Sequence, residues 1–307
     1  MSQDVLHRFS FRSAPIRGQW VRLDAVLDQL FERRDYPAAV RTLLAEMMAA
    51  VSLMADSIKF RGAVALQSTG SGPVTTALAE CRDKRMLRGI ARWRETVTDS
   101  GLDPQPSYGE LSSLIGEGRM AISLIARGES AASADGNSYQ GVISIAEGDL
   151  ARNLEDYFAN SEQLPTRLFF TVWDSTVTGL LLQRLPAPDT ATEIELDHQA
   201  NLWREVELLA STLRPEELGQ LPADVLLRRL FHEHPVTLQP GRELAFSCTC
   251  SRERAESMLQ ALPKEELLEL LETQGLVDVT CEVCGARYEY DKLATHLLYE
   301  PGDQTLH

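Results

Sequence analysis

Apolar residues recur at three- and four-residue steps in residues 23–33 and 36–58, and this spacing predicts two helices that open the chain. Beyond them the apolar runs shorten and are separated by Gly70, Gly72 and Pro73, a texture typical of strands joined by turns. The predicted strands are residues 63–67, 74–80, 87–93, 120–126, 139–146, 168–173 and 177–185. We expect turns at residues 135–137 and 174–175.

Helical periodicity returns twice more along the chain. Asp149 is placed to cap a helix that runs to about Asn160. After the Pro- and Thr-rich residues 186–192, amphipathic patterns over residues 197–213 and 222–231 predict helices, with Pro215 and Pro222 as the breaks. The fold class is therefore predicted as α+β. Its expected parts are a mixed α/β-sheet domain (1–191), a helical linker (192–240) and a small C-terminal four-cysteine zinc-binding domain (241–307).

The predicted linker is acidic and short of core-forming sequence. Residues 193–233 contain nine acidic and four basic residues, a net charge of −5. We expect its apolar faces to pack onto the N-terminal domain, and the same faces could bind other proteins once exposed. These apolar positions are Leu202, Val206, Leu209, Leu226, Leu227 and Leu230.

Composition and charge narrow the function. The chain has 307 residues, 44% hydrophobic, enough for a core and more than one domain. Its net charge of −15 disfavours phosphate backbones, so nucleic acid is not an expected partner. The N-terminus shows no signal-peptide pattern, and the most apolar stretch, residues 47–55, is far shorter than the roughly 20 residues that span a bilayer. We expect a cytoplasmic protein without a membrane partner.

Four of the five cysteines lie close together near the C-terminus, as Cys248-Thr-Cys250 and Cys281-Glu-Val-Cys284. Two nearby pairs can each fill two corners of the tetrahedron that zinc prefers, and Gly285 permits the tight turn after the second pair. The intervening residues 253–262 and 263–273 are predicted as helices that return the chain to the first pair. We therefore expect one zinc ion bound by all four thiolates. The fifth cysteine, Cys81, is expected to be a buried packing residue.

The cysteine spacing leaves several roles open. A closed four-thiolate site can be a permanent structural staple, and it has no open position for catalytic water. Alternatively, oxidation could join Cys248 to Cys250 and Cys281 to Cys284, expel the metal and unfold the small domain. Two further possibilities are a zinc-stapled nucleic-acid module and a thiol oxidoreductase using Cys281 and Cys284. The net charge of −7 over residues 242–307 works against the first.

Several short motifs, densest around the cysteines, occur together along most of the chain. They are Phe246-Ser-Cys248-Thr-Cys250-Ser251, Arg254, Glu265-Glu266-Leu267, Cys281-Glu-Val-Cys284-Gly-Ala-Arg-Tyr288, Gly72-Pro73-Val74, Arg88-Gly89, Tyr139-Gln140-Gly141, residues 161–166 (SEQLPT) and residues 227–232 (LRRLFH). By these motifs the chain resembles the redox-regulated heat-shock holdases of the 33 kDa chaperonin family.

The resemblance implies a stress-response chaperone without enzymatic turnover. Family members are inactive when reduced and zinc-bound, and oxidants produce two disulfides and release the zinc. The linker then unfolds, and the protein binds unfolding client proteins without ATP before ATP-dependent foldases refold them. By this resemblance Cys248, Cys250, Cys281 and Cys284 are both zinc ligands and redox-active residues. A monomer is implied for the reduced form and a homodimer for the oxidised form.

Overall fold

The structure is a computed structural model that describes residues 4–32, 34–58, 61–94, 111–126, 139–146, 148–187 and 190–299. The chain forms two compact units, Met1–Ser247 and Cys248–His307. Helices and sheets occur together, which confirms the α+β prediction. The predicted turn at 135–137 lies outside the described residues, and the division of the first unit into core and linker stays a prediction.

The first unit contains two six-stranded sheets. In one sheet the strands follow the order β10-β1-β2-β9-β8, with β11 also pairing with β1. Its strands are β1 (Val5–Phe11), β2 (Ile16–Leu23), β8 (Thr166–Trp173), β9 (Thr176–Arg184), β10 (Val236–Leu238) and β11 (Arg242–Glu243). The other sheet has the order β12-β5-β4-β3-β6-β7. Its strands are β3 (Gly62–Gly70), β4 (Val74–Arg82), β5 (Met86–Trp93), β6 (Gly118–Ala126), β7 (Tyr139–Ser144) and β12 (Ala245–Phe246).

One long helix packs between the sheets as the centre of the core. The helices before the linker are α1 (Ala25–Phe31), α2 (Ala38–Ser57), α3 (Leu111–Ile115) and α4 (Leu150–Asn160). Helix α2 contacts strands of both sheets, and its residues Met47 and Met48 are fully buried. At 20 residues it is long and apolar enough to cross a membrane, with 89% of its most apolar window buried. The sequence-based length argument from residues 47–55 was therefore wrong, because those residues are part of this longer core helix.

The prediction that two helices open the chain was also wrong, because β1 and β2 precede them. Strand β2 is buried along nearly its whole length instead of at alternate residues. Its sheet carries α2 on one face and the linker helices on the other, so the two-residue period that reveals a half-buried strand is missing. By contrast, the cap of α4 is confirmed, since the Asp149 carboxylate accepts a hydrogen bond from the Arg152 amide at 2.8 Å.

Three linker helices cover the outer face of the first sheet. They are α5 (Glu193–Ala210), α6 (Pro215–Gln220) and α7 (Ala223–Leu230). Their buried apolar residues form one cluster with the sheet, which includes Phe9, Trp20 and Leu182 from the strands and Trp203 and Leu226 from the helices. The expected packing of the linker's apolar faces onto the N-terminal sheet is thus confirmed.

The second unit is small. It comprises α8 (Arg252–Gln260), α9 (Lys264–Gln274), the hairpin strands β13 (Val277–Thr280) and β14 (Arg287–Tyr290), and α10 (Lys292–Tyr299). The two helices predicted between the cysteine pairs are therefore present, and Pro263 directly precedes the second of them. Gly275 ends that helix in the left-handed conformation, at φ +74°.

Candidate metal and redox site

The first cysteine pair lies between the end of β12 and the start of α8. Ser251 follows Cys250 directly and caps α8, because its hydroxyl accepts a hydrogen bond from the Arg254 amide at 3.3 Å. The Arg254 guanidinium also donates to the Thr249 carbonyl at 2.8 Å. The helix start therefore fixes the backbone on which Cys248 and Cys250 stand.

The second cysteine pair forms a tight knuckle at the end of β13. The Gly285 amide donates to the Cys281 carbonyl at 2.7 Å, and the Cys281 amide donates to the Ala286 carbonyl at 2.8 Å. Gly285 has φ +65°, a conformation that costs glycine little and other residues more. The turn expected at Gly285 is confirmed.

The fold brings the two pairs together. The four Sγ atoms of Cys248, Cys250, Cys281 and Cys284 all lie within 4.8 Å of one another. The Cys248–Cys281 distance is 3.6 Å and the Cys250–Cys284 distance is 3.2 Å. Four thiolates around a zinc ion at about 2.3 Å would be separated by roughly 3.8 Å, the edge of that tetrahedron. The four sulfurs therefore fit a tetrahedral metal ion without rearrangement of the backbone.

The four thiols differ in acidity because of their surroundings. Partial burial opposes ionisation of Cys250, yet hydrogen bonds from Tyr288 and the other three thiols lower the pKa of Cys250 to about 7. The Tyr288 hydroxyl donates to the Cys250 Sγ at 3.3 Å. Burial instead raises the pKa of Cys248 and, with the hydrogen bond to Cys250, that of Cys284. Without a metal, Cys250 therefore ionises more readily than Cys248 or Cys284.

The apolar core beneath the site is sparse. Its buried members are Ala255, Leu259, Leu267, Leu271, Val277 and Tyr290. Tyr290 is fully buried, and its hydroxyl donates to the Arg252 carbonyl at 3.2 Å. A core of this size supplies little stability to a unit of this length. We infer that the unit depends on what the four sulfurs bind.

The fifth cysteine is separate from the site. Cys81 is fully buried in β4, and burial raises the pKa of its thiol to about 12. Its predicted role as a packing residue is confirmed.

Sequence reasoning missed the contact between Tyr288 and Cys250. Tyr288 is partly buried and packs against the small apolar core of the second unit. Its hydroxyl reaches Cys250 because β14 pairs with β13, with Tyr288 opposite Val279. No local sequence pattern signals this contact, since it joins residues 38 positions apart.

A buried charge cluster in the first unit was also missed. The Asp56 side chain is fully buried and forms ion pairs with Arg8 and Arg242. The Gln19 amide donates to the same carboxylate at 2.9 Å. Burial alone would raise the pKa of Asp56, but these partners outweigh it and lower the pKa below its usual value. Arg242 lies in β11, so the ion pair joins α2 to the segment that precedes the cysteines.

Comparisons with known proteins identify the family of the chain and agree with its fold. The family model described as "Hsp33 protein" matches residues 4–291. The 33 kDa chaperonin of Shewanella denitrificans is 37% identical over 99% of this chain and 98% of its own length. The 33 kDa chaperonin of Nitrosococcus oceani is 38% identical over 97% of this chain and 95% of its own length. The crystal structure of the 33 kDa chaperonin (heat shock protein 33 homolog) from Thermotoga maritima is similar at a TM-score of 0.76 and 19% identity. The match covers 96% of this chain and 97% of the Thermotoga maritima chain, and this likeness shows a shared fold.

Proposed function

Because the chain belongs to the Hsp33 family of chaperones, we propose that it is a redox-switched, ATP-independent holdase for unfolding proteins. The observation that carries the proposal is the cluster of Cys248, Cys250, Cys281 and Cys284, four sulfurs within 4.8 Å of one another in a unit with a sparse core. In the resting state these thiolates hold one zinc ion. The ion binds both cysteine pairs at once and so stabilises the unit. In small zinc peptides such binding contributes about 10 kcal/mol or more.

The switch is oxidation of the thiolates. Each disulfide forms when two thiolates lose two electrons to one hypochlorous acid molecule, which takes up a proton and becomes chloride and water. Two molecules of oxidant therefore convert the four sulfurs into two disulfides. The zinc ion then has no thiolate ligands. We propose that the pairs are Cys248 with Cys250 and Cys281 with Cys284, as the family resemblance implies.

The choice of pairing decides whether the unit unfolds. Two sulfur contacts cross between the pairs, Cys248 to Cys281 at 3.6 Å and Cys250 to Cys284 at 3.2 Å, so cross-pairing is the geometric alternative. Cross-paired disulfides would keep the two cysteine pairs joined. Each would stabilise the folded unit by about 3–4 kcal/mol for a loop of this length. Local disulfides leave the two cysteine pairs unconnected. Local pairing therefore favours unfolding on oxidation more than cross-pairing does.

Unfolding of the second unit frees the residue that follows Ser247, and with it the end of the first unit. A segment at a chain end or next to an unfolded stretch frays more readily than one held at both sides. We propose that the acidic linker helices then leave the sheet and expose their apolar faces and the sheet surface to client proteins. Oxidised molecules dimerise, act in the cytoplasm, and pass clients to ATP-dependent foldases.

The experiment follows zinc and chaperone activity together. Zinc release is measured with a chromogenic chelator during hypochlorite treatment, and light scattering of heat-unfolded citrate synthase reports holdase activity. Cys281→Ser removes one ligand, whereas Cys81→Ser is the matched control because Cys81 is buried in β4 and is not one of the four clustered cysteines. We expect one zinc per chain, release on oxidation, and suppression of aggregation only afterwards. An oxidised protein that loses zinc and leaves aggregation unchanged refutes the holdase and keeps only the metal site.

The thiol oxidoreductase alternative finds less support. It needs an exposed, acidic thiol at the second pair, yet the pKa of Cys284 is raised. The acidic sulfur is Cys250, in the pair with the tighter spacing. Catalytic reduction of insulin by the protein would favour the oxidoreductase over the holdase.

A further inference from the structure

One extended segment, residues 235–247, runs along the outer edge of β1 as far as Leu244 and then pairs with β5, and we call it the strap. Strand β10 pairs antiparallel with β1, with Ser10 opposite Thr237. The ladder continues beyond the strands, because the Arg12 amide donates to the Pro235 carbonyl at 3.2 Å and the Gln239 amide to the Arg8 carbonyl at 2.8 Å. The strap thus occupies the edge of β1 from one end towards the other.

The strap resumes pairing after a break at Pro240 and Gly241. Strand β11 places Arg242 opposite Leu6, and the Leu244 amide donates to the Asp4 carbonyl at 2.9 Å. In an antiparallel ladder alternate residues point their backbone groups to the same neighbour. The even-numbered residues of β1 and its flanks, 4 to 12, therefore face the strap, while the odd-numbered ones face β2. Among the described residues, the strap is what fills this edge, which is about 27 Å long.

Side chains of the strap complete an apolar patch beside the same edge. Val236 and Leu238 pack against the cluster that contains Phe9 and Phe11. Phe231, just before the strap, meets Phe11 edge-on with ring centroids 5.0 Å apart. Removal of the strap would therefore uncover an unpaired strand edge and the aromatic surface next to it.

The strap is held by few contacts and leads directly to the cysteines. Its strands are only three, two and two residues long. The ion pair from Arg242 to Asp56 and the hydrogen bond from the Ser247 amide to the Leu87 carbonyl at 2.8 Å hold its second half. The next residue is Cys248. The segment that covers β1 is thus the one whose end is released when the second unit unfolds.

We propose that the edge of β1, once the strap has left, binds an extended segment of an unfolding protein as an added antiparallel strand. The inference rests on the proposed holdase function and names its client surface. The occupant is argued from the strap itself, which shows that an extended chain with apolar residues two apart fits this edge. Backbone hydrogen bonds do not depend on sequence, so strand addition suits a protein that must bind many unrelated clients.

Three synthetic peptides test strand addition. Each carries residues 234–245 and a fluorophore, and binding is followed by fluorescence anisotropy with the reduced, zinc-loaded full-length protein and with the oxidised one. The first peptide is unmodified. The second is N-methylated at Thr237 and Gln239, whose amides face β1, and the third at Val236 and Leu238, whose amides face away.

We expect the unmodified peptide to bind the oxidised protein and to bind the reduced one at least about tenfold more weakly, because the strap covers the edge. Loss of two hydrogen bonds to the edge of β1 should lower the affinity of the second peptide for the oxidised protein by about tenfold or more. The affinity of the third peptide should stay within a few-fold of that of the unmodified one. Equal binding of all three peptides overturns strand addition, since side chains alone would then carry the affinity.

Hydrogen exchange with a bound client supplies the second measurement. On oxidation the amides of Arg8 and Ser10 should lose protection and regain it when unfolded citrate synthase binds, while the Phe9 amide, which faces β2, stays protected throughout. An oxidised protein that suppresses aggregation but shows no renewed protection at Arg8 and Ser10 overturns the β1 site and leaves the holdase standing. If oxidised protein does not suppress aggregation at all, the holdase proposal fails, and the client site fails with it.

Discussion

Helix α7 offers a way to activate the protein without oxidation. Leu226 is fully buried in the cluster between the linker helices and the first sheet, whereas its neighbour Val225 is 43% exposed. Truncation of a buried leucine to alanine costs about 2–5 kcal/mol, from lost burial and from the cavity that remains. A loss of about 3 kcal/mol shifts the equilibrium between docked and undocked linker roughly a hundredfold. Leu226→Ala should therefore populate the undocked linker with all four cysteines still reduced.

The assay uses reduced protein with its zinc in place. Light scattering of heat-unfolded citrate synthase measures holdase activity, and limited proteolysis within residues 193–230 measures undocking. We expect Leu226→Ala to be cleaved faster in the linker and to suppress aggregation without oxidant. Val225→Ala is the matched control on the same helix, since an exposed substitution changes stability by no more than about 0.5 kcal/mol.

Two results would contradict this reasoning in different ways. If Leu226→Ala is cleaved no faster than Val225→Ala, the linker is held by more than the apolar cluster and the magnitude is wrong. If it is cleaved faster and the reduced protein still does not bind clients, undocking of the linker is not what activates the chaperone. Chelator titration of both variants checks that the zinc content is unchanged.

Three further changes test the charge clusters and the thiol environment. Arg242→Gln removes an ion pair to the buried Asp56 and should speed hydrogen exchange of the strap amides severalfold in the reduced protein. Arg85→Gln is the control, because it breaks an exposed ion pair with Glu243 and should leave that exchange unchanged. Burial raises the pKa of Glu46 to about 8 from an ordinary 4.5, so stability should be full below pH 4.5 and fall as the pH rises towards 8. Glu46→Gln should flatten that fall in thermal melts, and an unchanged slope would exclude Glu46 as its source. Tyr288→Phe removes a donor to Cys250, so protons should compete better for this thiolate, and a chromogenic chelator should strip zinc from the reduced variant at a higher pH than from the unaltered protein; an unaltered pH profile would show that the other thiols suffice.

Much of the fold can be predicted from the sequence where one face of a helix or strand is buried and the other is exposed to solvent. The strands β3 to β6 lie between clear turn residues, and α4 begins at a capping aspartate, so local rules suffice. Strand β2 lacks that alternation because it is buried along nearly its whole length. The strap escapes the local rules for another reason, since its strands are two or three residues long and pair with residues more than 150 positions away.

The metal site divides in the same way. Spacing within each cysteine pair and the glycine at 285 reflect local geometry, and both are visible in the sequence. The approach of the two pairs depends on the helices between them, which periodicity also predicts. The acidity of Cys250 depends on a tyrosine positioned by strand register, and the Asp56 cluster depends on four separate segments. Long-range polar contacts of this kind leave no period or motif in the chain.

Helix α5 shows where the linker is weakest. Its first turns expose Ile194 at 82% and Leu196 at 46%, and its buried residues begin only at Leu202. The docking energy is therefore concentrated towards α7 and Phe231, next to the strap, on the patch formed by Phe9 and Phe11. Since the strap and the end of the linker share that patch, loss of one removes part of the packing that holds the other. An undocked strap should thus release α7 as well. The strand edge and the aromatic surface would then become available to a client together, so that backbone hydrogen bonds and apolar burial act on the same bound segment.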